Sequence, residues 1–243
     1  MKVYYYASGF DINNAFFSSL KTRLKEDIKD YKSIVYIPAS LNLEKTLNKY
    51  MPAFTDHFKK IGIEFESIHL LTSDTDKTIA KELIRNASFI MLLGGDPYIQ
   101  KDLCKKLDIE NDLKEYNGVI LGMSAGAMYM SKNIIIVPCS SEYNCFHIEE
   151  GLNLGGISIY PHNNFIGDTF PKEIINDEEI TKSEDLIKVA KEYGEFYLLQ
   201  DNYINEEITQ VSLIRVSNNN IEILNDNNGR VWICTKDGIN EYK

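Results

Sequence analysis

Apolar residues follow two alternating patterns through the first two-thirds of the chain. Short runs of β-branched and aromatic residues, typical of strands, are separated by stretches whose apolar residues recur at helical spacing. The first such stretch has an apolar residue at every fourth position, which predicts a helix that covers the sheet. These residues are Ile12, Phe16, Leu20, Leu24 and Ile28. Strands alternating with crossover helices are typical of α/β folds with a parallel sheet.

The same patterns set the order of the remaining elements. Strands are predicted at 3–6, 34–37, 64–70, 89–93 and 119–121, and helices at 43–60 and 77–87. Shorter strands follow at 134–137 and 157–160, and Ser183 and Gly194 mark the two ends of one more helix. Strands at 208–216, 221–224 and 231–234, divided by turn-forming segments, predict an antiparallel meander at the sheet edge.

The chain has the composition of a single globular domain. No region of its 243 residues has linker composition, and 44% of the residues are hydrophobic. We therefore expect one domain, residues 1–243, folded as a three-layer α/β sandwich. Its central sheet should be mostly parallel, with antiparallel strands at the C-terminal edge.

Charge and the N-terminal sequence narrow the classes of partner. The formal net charge of -10 disfavours nucleic acid and anionic membrane surfaces. The N-terminal sequence contains neither a secretory signal nor a transmembrane helix, so a cytoplasmic location is expected. An apolar edge strand near the C-terminus leaves a homodimer open.

The cysteines predict no metal site. Cys104, Cys139, Cys145 and Cys234 are irregularly spaced, without the pairs that bind zinc. We interpret them as free thiols and expect neither a metal nor an organic cofactor.

A GxSxG motif lies at the end of a predicted strand. Gly122, Ser124 and Gly126 lie between the apolar run at 119–121 and a helix-compatible segment. At such a turn the flanking glycines allow strand and helix to approach closely, and the serine hydroxyl projects above the sheet edge. The motif predicts Ser124 as a nucleophile and the amide of Ala125 as a donor to an oxyanion. An incidental serine in a glycine-rich turn is the structural alternative.

A second glycine-rich turn, Gly94 to Pro97, ends the strand at 89–93. Ligands of open parallel sheets bind at the carboxyl ends of strands, so this turn should lie beside Ser124. The amide of Gly95 is then the second expected oxyanion donor. Asp96 and Pro97 are explained as a helix N-cap and first helical residue, although the Asp96 carboxylate could also meet a substrate ammonium group.

A serine nucleophile requires a base, and the sequence has four histidines. His57 and His69 fall in a sheet-covering helix and an early strand, where packing explains them. His162 ends the strand at 157–160 and should face the same crevice as Ser124, with His147 as the reserve. The acid that orients the base is expected between Ser124 and His162, where the candidates are Glu142, Glu149 and Glu150. Glu142 is preferred because it follows the strand at 134–137 across a short loop, although all three could equally be solvated loop charges.

Three segments, LLGGDPY, GMSAGAM and YPHNNF, resemble the dipeptidase E family of serine peptidases. That family has the class I glutamine amidotransferase-like fold, a flavodoxin-like sandwich, and is related to cyanophycinase. The resemblance implies a nucleophile at Ser124, oxyanion amides at Gly95 and Ala125, and a base at His162. Family members often have GGGNT in place of LGGDPY and an Asp near SSEY, so Glu142 resembles the cyanophycinase arrangement instead.

The resemblance implies hydrolysis of a small peptide, with N-terminal aspartyl dipeptides as the family substrate. No cationic residue that would recognise an aspartyl side chain is identifiable in the sequence. Two alternatives stay open: an α/β-hydrolase esterase, which would usually have its histidine nearer the C-terminus, and a non-catalytic amidotransferase-like domain that binds a ligand or partner. A hydrogen bond between Ser124 and His162 would separate the enzyme from the binding domain.

Overall fold

The computed structural model describes residues 1–10, 17–136, 147–163, 172–175, 178–204, 207–226 and 229–243. The strands are β1 (Val3–Ala7), β2 (Ser33–Ala39), β3 (Ser67–Leu70), β4 (Phe89–Gly95), β5 (Val119–Met123), β6 (Asn133–Ile136), β7 (His147–Glu150), β8 (Ile159–Tyr160), β9 (Lys172–Ile175), β10 (Glu178–Thr181), β11 (Phe196–Leu199), β12 (Asn202–Ile204), β13 (Glu207–Ser217), β14 (Asn220–Asp226), β15 (Val231–Thr235) and β16 (Gly238–Glu241).

The helices alternate with the strands in the first half of the chain. They are α1 (Ser18–Asp27), α2 (Leu43–Lys45), α3 (Met51–Lys60), α4 (Lys77–Asn86), α5 (Pro97–Leu107), α6 (Glu110–Glu115), α7 (Ala125–Met130) and α8 (Lys182–Tyr193), with a π-helical segment Thr46–Tyr50 joining α2 to α3.

Within the described ranges, the central sheet has eight strands. Strands β1, β5, β4, β2 and β3 lie side by side in that order and are parallel. On the other side of β1, strand β13 pairs antiparallel with β1 and also pairs with β12 and β14. This arrangement confirms the predicted mostly parallel sheet with antiparallel C-terminal strands at its edge.

Helices cover both faces of the sheet because its strands are apolar on both sides. Along β1, Tyr4 and Tyr6 belong to the core formed with α4, α5, α6 and α7. Their neighbour Tyr5 belongs to the opposite core, formed with α1 and α3. The alternation of side chains along a strand thus gives the three layers of the predicted sandwich.

A second, smaller sheet contains β16, β15, β11 and β8 in that order. Its strands β8 and β11 are parallel, with Tyr160 opposite Leu198, whereas β15 runs antiparallel to β11. The carboxyl ends of β8 and β11 therefore lie side by side. Helix α8 packs Leu186 and Val189 against this sheet, in a core that includes Tyr160 and Phe196.

The predicted C-terminal meander is wrong in its pairing. Strands β13 and β14 form a hairpin in the central sheet, but β15 pairs with β11 and β16 in the second sheet. Strand β11, which was not predicted, pairs with β15 and so places β15 in the second sheet rather than beside β14. The first helix begins at Ser18 within the described residues, and β3 is shorter than the predicted strand at 64–70. No helix in the described ranges is long and apolar enough to span a membrane.

Candidate active site

Ser124 lies at the bend between β5 and α7. Its backbone has φ 51° and ψ -113°, a conformation that costs a non-glycine residue on the order of 1–3 kcal/mol. The Ser124 amide donates to the Ala7 carbonyl at 2.9 Å, and its own carbonyl accepts the first helical bond, from the Met128 amide at 3.0 Å. These bonds hold the bend between the central sheet and the helix.

The flanking glycines are required by close packing behind the bend. A Cβ on Gly126 would lie 2.3 Å from the Leu92 carbonyl oxygen, and one on Gly122 would lie 2.6 Å from the backbone carbonyl carbon of Gly126. Real Cβ atoms do not approach other atoms so closely, so α7 can pack on β4 and β5 only with glycine at both positions. The motif therefore has the structural role that its sequence predicted.

The second glycine-rich turn lies against Ser124, as expected. A Cβ on Gly94 would lie 3.5 Å from the Ser124 Cβ. Gly95 has φ +143°, and a Cβ added to it would lie 2.2 Å from the Ala39 carbonyl oxygen. Asp96 accepts from the amides of Tyr98 at 2.7 Å and Ile99 at 3.3 Å, which makes it the N-cap of α5.

His162 lies within hydrogen-bond distance of the nucleophile candidate. The distance from Ser124 Oγ to His162 Nε2 is 2.7 Å. His162 follows β8 and has a positive φ of 56°, so the backbone turns sharply after the strand. This contact meets the criterion that separates an enzyme from a binding domain.

The other ring nitrogen of His162 contacts a carboxylate that the sequence analysis did not select. His162 Nδ1 lies 2.6 Å from Asp201 Oδ2. The Asp201 side chain is fully buried, whereas the His162 side chain is 36% exposed. Glu142, the predicted acid, lies outside the described residues. Among the described residues, the carboxylate in this position is Asp201.

Asp201 is held in place by the junction of the two sheets. It follows β11 directly after Gln200, whose carbonyl accepts from Ser212 Oγ at 2.5 Å. The same hydroxyl contacts the Arg230 carbonyl at 2.7 Å, and the Ser212 carbonyl accepts from the Ser8 amide at 3.1 Å. Buried Ser212 on β13 therefore joins the end of β11 to the strand that carries Ala7, the partner of Ser124.

A cavity of about 680 Å³ opens beside Ser124 and His162. This volume is in the range of small-molecule sites, about 300–1,000 Å³. Its described lining consists of Ala39, Ser40, Gly95, Asp96, Pro97, Ile99, Ser124, Met128, Ile135, Ile136, Tyr160, Pro161 and His162.

The remaining histidines lie elsewhere. His57 is buried in α3, and His69 Nε2 lies 3.1 Å from Ser67 Oγ on β3. The ring of His147, the reserve candidate, lies 6.4 Å from that of Tyr98 and is outside the cavity lining. Of the four histidines, His162 is the one that follows the carboxyl end of a strand and contacts Ser124.

The described cysteines are not suited to nucleophilic chemistry. Cys104 and Cys234 are free and buried, and burial raises the pKa of each thiol to about 12. Both therefore stay protonated at neutral pH. Cys139 and Cys145 lie outside the described residues. Within the described part of the chain, no group of three His, Cys, Asp or Glu side chains has the arrangement of a metal site.

The sequence resembles a known family of peptidases. The model of Peptidase family S51 matches residues 7–204. No curated protein matches the sequence. A crystal structure of a peptidase from an acI-B1 Actinobacterium superposes with a TM-score of 0.62 at 16% identity, covering 100% of this chain and 94% of the other.

A provisionally assigned peptidase E protein from Listeria monocytogenes EGD-e superposes with a TM-score of 0.56 at 19% identity, covering 93% of this chain and 98% of the other. At such identities the two structures establish the fold alone. The match to the family model extends from the end of β1 through Ser124, His162 and Asp201.

Proposed function

Because the chain belongs to peptidase family S51, we propose that this serine peptidase hydrolyses small peptides through a triad of Ser124, His162 and Asp201. One observation carries the proposal. Hydrogen-bond distances of 2.7 Å and 2.6 Å join the serine hydroxyl, the imidazole and a buried carboxylate in one continuous series beside a cavity. Serine hydrolysis requires these contacts because the carboxylate orients the imidazole, and the imidazole accepts the proton of the serine hydroxyl.

Acylation begins when Ser124 Oγ attacks the peptide carbonyl carbon and its proton passes to His162 Nε2. The carbonyl π electrons move to the oxygen, giving a tetrahedral oxyanion. When this intermediate collapses, the C–N bond breaks and His162 returns the proton to the leaving amine. Asp201 stabilises the imidazolium that exists between the two proton transfers.

Deacylation repeats these steps with water. His162 takes a proton from water as its oxygen attacks the acyl carbon, and the bond between Ser124 Oγ and that carbon then breaks. His162 returns the proton to Ser124 Oγ, which regenerates the enzyme and releases a carboxylic acid. The chemistry is complete without an oxidant, a reductant or a cofactor.

The backbone amides of Gly95 and Ala125 are the proposed donors to the oxyanion. Ala125 begins α7, and the first amides of a helix have no acceptor within it. Gly95 lines the cavity from the turn at the end of β4. Two such donors fixed in place before the reaction stabilise the negative charge as it forms.

The substrates to test first are dipeptides, and N-terminal aspartyl dipeptides belong in the panel because of the resemblance to dipeptidase E. The assay is release of free amino acid by the wild type and by Ser124→Ala. We expect the variant to lose at least about a thousandfold in kcat while keeping its melting temperature, since the nucleophile is removed and the bend is not.

Ser73→Ala is the matched control, because Ser73 is an exposed serine whose hydroxyl lies 3.4 Å from Asp74 Oδ1. It should retain full activity. Intact-mass analysis after treatment with a fluorophosphonate should show one adduct on the wild type and none on Ser124→Ala. Hydrolysis by purified Ser124→Ala at a rate near that of the wild type would contradict the proposal.

A further inference from the structure

Helix α5 has a glutamine on its buried face. The buried residues along this face are Pro97, Gln100, Cys104 and Leu107, and Gln100 is completely buried. A side-chain amide that is taken out of water costs free energy unless its polar atoms find hydrogen-bond partners. The contacts of Gln100 therefore explain why a polar residue can occupy this position.

The Gln100 side chain joins the carboxyl ends of two neighbouring strands. Its Nε2 donates to the Ile37 carbonyl of β2 at 2.8 Å and to the Leu93 carbonyl of β4 at 3.3 Å. An amide nitrogen has two hydrogens, so it can donate to both carbonyls at once. Gln100 thus connects α5 to both strands at the position where β4 leads into the turn formed by Gly94 and Gly95.

These contacts lie at an irregularity in the pairing of β2 with β4. Ile37 pairs with Leu92, but the next pair is Ala39 with Gly95. Pro38 therefore lies opposite two residues of β4, which is the pattern of a β-bulge. Because proline has no backbone N–H, Pro38 donates no hydrogen bond to β4. The side-chain amide from α5 supplies donors at the point where β2 lacks one.

Backbone hydrogen bonds fix the other end of the same turn. The Asp96 amide donates to the Ala39 carbonyl at 2.8 Å, and the Gln100 amide donates to the Asp96 carbonyl at 3.2 Å. The strand end before the turn is held by the side chain of Gln100, and Asp96 after the turn is held by β2. Two residues, Gly94 and Gly95, lie between these anchors. Because glycine has the greatest backbone freedom, the orientation of their amides depends on both anchors.

We propose that Gln100 is a positioning residue for the hydrolysis, whose side-chain amide holds the turn so that the Gly95 N–H is directed at the oxyanion. This inference rests on the proposed function, in which Gly95 donates to the oxyanion that forms when Ser124 attacks. Because Gln100 is completely buried, it acts on the reaction through the turn. A displacement of about 1 Å in such a group can cost about a hundredfold in rate.

The first test is Gln100→Met, because methionine has a similar length and no donor. Gln100 Oε1 is buried and accepts no hydrogen bond within the described part of the chain, so its removal offsets part of the loss of the two contacts. We expect the melting temperature to fall by less than about 8 °C. For the dipeptide that the wild type hydrolyses fastest, kcat should fall about tenfold to a hundredfold while KM changes less than about threefold. The reason is that the oxyanion is absent from the bound substrate and forms only during the reaction.

Cys104→Ala is the matched control, because Cys104 is buried on the same face of α5, one turn after Gln100. This substitution removes packing and leaves the turn unchanged. The melting temperature should therefore fall while kcat stays within about twofold of the wild-type value. An equal fall of kcat in Cys104→Ala and Gln100→Met would overturn the inference, because it would assign the effect to a general loosening of α5.

Reaction with a fluorophosphonate gives a second readout, which needs no peptide substrate. Intact-mass analysis over time yields the rate constant for modification of Ser124 and the final fraction of protein modified. In Gln100→Met the rate constant should fall about tenfold, because the same amides stabilise the negative charge on the phosphonyl oxygen, and the final fraction should match the wild type. A lower final fraction with an unchanged rate constant would indicate unfolded protein instead of a displaced donor, and would overturn the inference.

Gln100→Leu is a second variant without the donor and should behave as Gln100→Met does. Wild-type kcat in either folded variant, or a raised KM with unchanged kcat, would overturn the inference. Failure of both variants to fold would also overturn it, because the contacts would then be required by the fold and not by the turn alone. Failure of the proposed function is distinct, since it would appear as hydrolysis that survives Ser124→Ala.

Discussion

Replacing Asp201 with asparagine tests the triad at the residue that sequence reasoning missed. The substitution keeps the size and shape of the side chain and removes its charge. It also changes hydrogen bonding, because an amide group facing Nδ1 can donate a proton to it. The imidazole would then carry its proton on Nε2 and could not accept one from Ser124.

The magnitude follows from the charges in the reaction. With charge centres about 4 Å apart and an effective dielectric of about 20, an imidazolium and a carboxylate attract by about 4 kcal/mol. Because Asp201 is fully buried, water screens this attraction little on its side, whereas the 36% exposure of His162 weakens it. The full attraction of about 4 kcal/mol corresponds to about a thousandfold, so with this weakening we expect kcat to fall by about a hundredfold.

The assay is steady-state cleavage of the best dipeptide by Asp201→Asn, with melting temperature measured in parallel. Asp112→Asn is the matched control, since Asp112 is also nearly buried and contacts Arg85 at 2.7 Å on a different part of the surface. The control should lose stability and keep kcat. If Asp201→Asn keeps more than about a tenth of the wild-type kcat, the assigned role of Asp201 is wrong.

Three further substitutions test how the site is held. Ser124→Gly should be more stable than Ser124→Ala by about 1 kcal/mol in urea unfolding, because glycine relieves the strained bend. Gly126→Ala should lower the free energy of unfolding by about 3 kcal/mol, because its Cβ meets the Leu92 carbonyl. Ser212→Ala should lower both the melting temperature and kcat, since the carbonyl of Gln200 loses its donor at 2.5 Å.

Each of these predictions has its own control or contradicting result. A Ser124→Gly variant less stable than Ser124→Ala would show that the bend stores no strain. Gly156→Ala adds a methyl group with nothing within 4 Å at φ +74°, so it should cost only about 1 kcal/mol from the backbone. For Ser212, the variant Ser212→Thr retains the hydroxyl, and activity that returns with it would assign the effect to the hydrogen bond.

The bend at Ser124 could be predicted from sequence because its determinants are local. A buried strand, two glycines and a helix lie within twelve residues, and the close contacts that require Gly122 and Gly126 arise from those same elements and β4. The position of His162 could be predicted from the sequence for a similar reason. It follows a short apolar strand, and parallel strands present their carboxyl ends to one crevice.

Pairing among the C-terminal strands could not be predicted in the same way. Strands β13, β14 and β15 follow one another with turn-forming segments between them, which favours a simple meander. The alternative depends on β11, a strand of four apolar residues that begins three residues after the last residue of helix α8. Without β11, no local feature indicates that β15 pairs in another sheet.

The unpredicted strand β11 also explains why Asp201 could not be identified from the sequence. The acid was expected between Ser124 and His162, whereas Asp201 follows both residues in the chain. Because β8 and β11 are parallel, with Tyr160 opposite Leu198, the residues after both strands emerge at one edge. The Asn163 amide donates to the Leu199 carbonyl at 3.0 Å and extends this alignment to His162 itself. An apolar run followed by an aspartate, FYLLQD, is thus the sequence signal for the proposed acid once β11 is recognised as a strand parallel to β8.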